Sequence, residues 1–139
     1  MNSYGRKEIE ETKDKKLETW EHRYIDSLIH IEHPEYTALC PRSGYPDFGT
    51  IVIDYIPDGK VCELKALKLY INSFREESVS HENVVNIIAD KFLNDVNPHV
   101  LRVIGDFTRR GGVKMVVTVY RGEGSFQSVG LPAYNNNIL

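Results

Sequence analysis

Residues 100–120 read VLRVIGDFTRRGGVKMVVTVY. β-Branched residues crowd both sides of Arg110-Gly111-Gly112, which predicts two strands, roughly 100–109 and 113–120, joined by a tight turn. In the second strand Val113, Met115, Val117 and Val119 alternate, as a half-buried strand requires. Working backwards, residues 81–97 read as a helix. Ser80 is a natural N-cap, and Val85, Ile88, Ala89, Phe92 and Val96 form its apolar stripe. Asn97-Pro98 ends it. A second helix is predicted over residues 63–76, ELKALKLYINSFRE, where Leu64, Leu67, Ile71 and Phe74 share one face. Lys65, Lys68 and Asn72 lie together on another face, and Glu63 stands at the start, where the helix dipole favours an anion. Before it, residues 50–57, TIVIDYIP, predict a strand closed by the Pro57-Asp58-Gly59 turn. Strands, helix, helix, strand, strand is an α+β order: an antiparallel four-stranded sheet with two helices on one face. Both edges of such a sheet need cover, so strand-to-strand assembly into a ring-like oligomer is expected. No G-x-G-x-x-G or Walker motif is present, so any nucleotide is held some other way.

The ends carry less information. Ten of the thirteen residues 6–18, RKEIEETKDKKLE, are charged, five of each sign, which predicts an exposed helix or flexible arm. His33-Pro34-Glu35 stops any helix there. The chain thus divides into an N-terminal arm or helix (1–33), a central domain (34–121) and a Gly-, Ser- and Asn-rich tail (122–139). With 139 residues, a net charge of −3 and a pI of about 5.9, it has room for one core and lacks the basic balance of a nucleic-acid coat. No apolar run approaches the roughly 20 residues that span a bilayer, and no signal-peptide pattern is present, which points to the cytoplasm. The two cysteines, Cys40 and Cys62, are too few for a disulfide scaffold and lack metal-ligand spacing, so no metal is expected.

The segment LCPRSGYPDFGT, residues 39–50, is a constrained loop feeding a strand. Its chemical reading makes Cys40 a nucleophile and Asp47 its proton partner, with Arg42 assisting electrostatically. Its bland reading makes Cys40 a buried hydrophobe and Asp47 a turn former. His81-Glu82 opens a helix. The pair offers a carboxylate for a ligand's N–H groups and a His to donate a proton, or merely suits the dipole. Lys65 and Lys68 are a solvated face unless a phosphate lies nearby. Arg110, with Gly111 and Gly112, is a surface turn or a place where ligand approaches backbone. His22, His30, His33 and His99 read as structural or surface residues.

Four of these segments, in order, resemble the NADPH-dependent 7-cyano-7-deazaguanine reductases of queuosine biosynthesis (the QueF family) in their short single-module form. They are the Cys-Pro…Pro-Asp-Phe loop, ELKALKLY at 63–70, the His-Glu pair and Phe-x-x-Arg-Gly-Gly. The resemblance covers about residues 34–121. It implies a tunnelling fold (T-fold), in which sheets of several copies join into a barrel with active sites between subunits, and a homo-oligomer of two stacked pentamers. It implies that Cys40 adds to the nitrile carbon to give a covalent thioimide, that Asp47 is the general acid/base, and that His81 assists. Cys62, Glu63, Leu64, His81 and Glu82 match substrate contacts. Leu64, Lys65, Lys68, Arg110 and Gly111 match the NADPH site. The implied partner is a small deazapurine, with no direct nucleic acid and no membrane. Where the family often carries Thr-Gly-Gln, this chain has Ser43-Gly44-Tyr45, which keeps the Cys-to-Asp separation and changes the residue at the pocket rim. Two competing readings are a zinc-dependent pterin-forming cyclohydrolase of the same fold and a noncatalytic purine-binding module.

Overall fold

The computed structural model describes residues 15–123 together with 133–134. Most of the charged segment 6–18 and of the tail 122–139 lies outside the described residues. In chain order the elements are β1 (Thr19–Glu21), β2 (Ile29–Leu39), β3 (Pro46–Ile56), β4 (Lys60–Cys62), α1 (Leu64–Asn72), α2 (His81–Val96), β5 (Val100–Arg110) and β6 (Val113–Gly122). The main sheet is antiparallel throughout, in the order β2-β3-β5-β6. The expected α+β arrangement is present.

Both helices cover one face of this sheet. Tyr36, Ile51, Ile53, Tyr55, Leu101, Val103 and Phe107 pack from the sheet against Leu67, Ile71, Val85, Ile88 and Phe92. The stripe expected on α2 is buried throughout. Ser80 caps it, its Oγ accepting from the Asn83 N–H, and Asn97 closes it in the left-handed conformation. On α1 the expectation fails at one position: Leu64 is 62% exposed. The buried face there is Leu67, Tyr70 and Ile71, with Phe74 just beyond the helix, and Leu64 lies outside that arc in the first turn.

The strands begin earlier than the sequence suggests. Residues 29–33, assigned on sequence to the N-terminal arm, open β2, which runs straight through Pro34. Pro34 sits where the register shifts between His33 and Tyr36 on an edge strand, so its missing N–H interrupts no central ladder. β3 likewise starts at Pro46, and the first residue of a strand is another position where proline is readily accepted. Gly111 and Gly112 form the predicted turn with φ of 55° and 81°, the left-handed pair that a two-residue hairpin demands. The β1–β4 ribbon was not foreseen, because strands of three residues carry no readable period.

The opposite face of the sheet alternates charge and apolar rungs. Arg102 donates to Asp54 through Nε (3.2 Å) and Nη2 (3.0 Å), and His30 stands between Asp54 (2.5 Å) and Glu32 (2.8 Å). Lys114 pairs with Asp106, which also accepts from the Tyr134 hydroxyl at 2.6 Å.

Candidate active site

The β2–β3 connection is a tight loop that folds back on itself. The Cys40 N–H donates to the Tyr45 carbonyl (2.8 Å) and the Gly44 N–H to the Cys40 carbonyl (2.9 Å). Gly44 takes φ of 74°, which a residue with a Cβ adopts only with strain. Since Ala38 and Asp47 are register partners, the loop sets Cys40 beside the start of β3. The chain leaving α1 pins the same corner, with Leu39 N–H donating to Glu77 O (2.9 Å) and Val79 N–H to Leu39 O (3.2 Å). That delivers Ser80, His81 and Glu82 to the loop.

Here the charges gather. Arg110, at the end of β5, donates to Asp47 through Nη1 and to the Ser43 hydroxyl through Nη2 (3.2 Å). Asp47 is buried, and its charge strengthens the Arg110 cation's hold on its proton. His81 Nε2 stands 3.4 Å from the second Asp47 oxygen, outside hydrogen-bond geometry and without a partner among the described residues. The His81 ring lies flat on Phe107, centroids 3.8 Å apart and planes 4° from parallel. Phe107 fits because two neighbours lack side chains: a Cβ on Gly49 or Gly105 would come within 3.0 Å of its ring. Tyr36, edge-on to Phe107, also keeps its buried hydroxyl without a partner among the described residues; burial and then the Asp47 charge push that phenol up.

The thiol of Cys40 is lowered to about 7, first by the Ser43 hydroxyl and then by the backbone N–H groups of Ser43 and Arg42. Arg42 therefore acts through its backbone, and the side chain that brings positive charge to the corner is Arg110. Cys62 is the opposite case. Burial pushes its thiol up to about 12, its N–H donates to the Tyr55 hydroxyl (3.1 Å), and its sulfur faces the Glu63 carbonyl (3.5 Å).

The residues singled out on sequence fall into two groups. Cys40, Asp47, His81, Glu82, Arg110 and Gly111 meet at one end of β3. Cys62, Glu63, Leu64 and Lys65 lie at the other, beside Tyr55, and Lys68, a helical turn further on, stands near His33 opposite the middle of β3. Tyr55 is eight residues from Asp47 along β3, on the order of 26 Å of strand. Within one chain the two groups do not meet, and Cys40 and Cys62 cannot share a ligand. Glu63 is the N-cap of α1: Oε1 accepts from the Lys65 N–H (2.9 Å) and Oε2 from the Ala66 N–H (2.7 Å), which hold its carboxyl below the usual range. Each oxygen keeps a lone pair for a second donor. The carboxylate of Glu82 is exposed and has no partner among the described residues. Tyr36 was not singled out on sequence, and Ser43 and Phe107 were named there only as members of motifs, with no role of their own. Arg110 was singled out, but for a different role; its link to Asp47 spans 63 positions and leaves no local signal.

A family profile described as QueF-like protein matches residues 46–125. The chain belongs to the QueF-like family. Its relatives include a protein of Nitratiruptor sp. named NADPH-dependent 7-cyano-7-deazaguanine reductase. It is 48% identical over 118 residues, covering 84% of this chain and 90% of the relative. A protein of the same name from Gloeobacter violaceus is 55% identical over 92 residues, 66% of this chain and 67% of its own. Among solved structures, an archaeosine synthase QueF-Like in the apo form superposes with a TM-score of 0.67 at 25% identity, covering 71% of this chain and 97% of that one. The QueF-like segment includes Asp47, His81, Glu82, Phe107 and Arg110; Tyr36, Cys40 and Ser43 precede it.

Proposed function

We propose that this QueF-like chain reduces the nitrile of 7-cyano-7-deazaguanine to the primary amine of 7-aminomethyl-7-deazaguanine, with NADPH as reductant, in the biosynthesis of the modified tRNA base queuosine. The names of its relatives support the reaction. The observation that carries it in this chain is the corner itself: a thiol lowered to about 7, beside a buried carboxylate clamped by an arginine.

Mechanism follows from that corner. The Cys40 sulfur adds to the nitrile carbon, a C–S bond forms, and one C–N π pair moves to nitrogen. The nitrogen takes up the proton that the thiol gave to Asp47, so the covalent product is a neutral thioimide. Arg110 fixes the Asp47 carboxylate, and Phe107 fixes the plane of His81, whose buried Nε2 faces the second Asp47 oxygen at 3.4 Å. Glu82 accepts from the N–H groups of the deazaguanine edge. When bound, NADPH supplies hydride, twice per nitrile, because four electrons separate a nitrile from a primary amine. The exposed amines of Lys65 and Lys68 suit its phosphates, whereas the first N–H groups of α1 are already taken by Glu63.

The second group of residues serves the same reaction from a neighbouring copy. The separation of the two groups and the two sheet edges, β2 and β6, which pair with no further strand among the described residues, support a T-fold ring in which each site is shared, the resemblance implying two stacked pentamers. A half-buried thiol lowered in this way suits a reducing compartment such as the cytoplasm. The test is NADPH oxidation, followed by absorbance, with 7-cyano-7-deazaguanine under conditions that keep Cys40 reduced. Two NADPH consumed per nitrile is expected; no substrate-dependent oxidation overturns the reading.

A further inference from the structure

The junction between β4 and α1 carries Cys62, Glu63 and Lys65, yet it lies outside the main sheet. One side of it is held by the segment that leads into β1. The Glu63 N–H donates to the Glu18 carbonyl (2.9 Å), Thr19 opposes Cys62 in the β1–β4 ribbon, and the His22 N–H donates to the Gly59 carbonyl (3.0 Å). A two-stranded ribbon with three-residue strands does not stand by itself. What fastens it is a side chain from the far end of α2. Asp95, 2% exposed, accepts from the Leu17 N–H (2.9 Å) and from Lys91 Nζ (2.8 Å) on Oδ2, and from Asn94 Nδ2 (3.0 Å) on Oδ1. Lys91 in turn donates to the Lys15 carbonyl (2.6 Å), and the Leu17 side chain is buried in the core. Removing the Asp95 carboxylate leaves the Leu17 N–H without its acceptor and takes the anion from beside the Lys91 ammonium in one step.

We propose that Asp95 is a positioning residue for the substrate-facing junction of β4 and α1: by holding Leu17 and Lys91 it clamps the N-terminal segment against β4 and sets where Glu63 and Lys65 stand. The proposal rests on the reading of Glu63 as a substrate contact. Asp95→Ala and Asp95→Asn are compared with Glu63→Gln in two measurements. The first is hydrogen exchange of amides 60–66 without substrate, read by mass spectrometry. Exchange there speeds up about tenfold in Asp95→Ala and far less in Asp95→Asn, whose side-chain oxygen still accepts from Leu17. The second is steady-state kinetics with 7-cyano-7-deazaguanine. KM rises about tenfold in Asp95→Ala and in Glu63→Gln, with kcat within about twofold. Unchanged exchange at 60–66, or equal acceleration along the whole chain, overturns the clamp. Faster local exchange with unchanged KM, while Glu63→Gln raises KM, overturns the positioning role. If neither variant moves KM, the reading of Glu63 fails and takes the functional half of the proposal with it.

Discussion

Ser43→Ala gives a prediction whose sign reverses with pH. The Ser43 hydroxyl is the first cause of the low Cys40 thiol value of about 7. Losing it moves Cys40 toward the ordinary value of about 8.5. The backbone N–H groups of Ser43 and Arg42 stay in place, so full return to that value is the upper bound of the effect: at pH 7 the thiolate fraction then falls from about one half to about 3%, a factor of about 15. A more basic thiolate is also a better nucleophile: with a Brønsted slope of about 0.45, a pKa rise of about 1.5 gains about fivefold. The net loss at pH 7 is at most about threefold, and above pH 9 the variant becomes faster than the wild type, by up to about fourfold. The assay is the rate of iodoacetamide labelling of Cys40 against pH, read by peptide mass spectrometry. Cys62, buried and pushed up to about 12, stays silent over this range. An unmoved midpoint, or a variant slower at every pH, refutes the role given to Ser43.

Three further outcomes are expected. Asp47→Asn cannot take the thiol proton, so adduct formation slows by about 10²–10⁴-fold while substrate still binds, which rapid-quench and equilibrium-binding measurements separate. Phe107→Leu removes the surface beneath His81 and leaves a partial cavity between Gly49 and Gly105. It costs about 1–2 kcal/mol in urea unfolding and lowers kcat in the fully folded protein. His30 faces Glu32 and Asp54, which raise its pKa in that order, with Arg102 on the far side of Asp54. A raised folded pKa gives stability that is complete below the unfolded value of about 6.5 and is lost as pH rises through the folded one. Urea midpoints of the wild type therefore fall as pH climbs above about 6.5, and His30→Gln flattens that slope.

The legible part of the fold was the part with a period. α2 shows its cap, stripe and stop in consecutive residues, and the Gly111-Gly112 hairpin shows its turn between two β-branched runs. Pro34 and Pro46 misled, because proline at a bulge of an edge strand or at a strand's first residue resembles proline in a loop. Leu64 misled because four spaced apolar residues fix a helical face only to within an arc, and the burial of Tyr70 turns that arc away from it. At the site, Cys40, Asp47 and the His81-Glu82 pair stood out by residue type and order. What links them was not local: Arg110 reaches Asp47 from the end of β5, and Phe107 supports His81 from the same strand. The second group was also legible as residues, but not its distance from Cys40, which only the course of β3 reveals.

The most direct test of Cys40 as nucleophile omits NADPH. The protein is mixed with 7-cyano-7-deazaguanine and examined by intact-mass and peptide mass spectrometry. Addition across a nitrile expels nothing, so the account predicts a gain equal to the whole substrate, located on Cys40 and lost in Cys40→Ala. An adduct on Cys62, or nitrile reduction by Cys40→Ala at the wild-type rate, contradicts it.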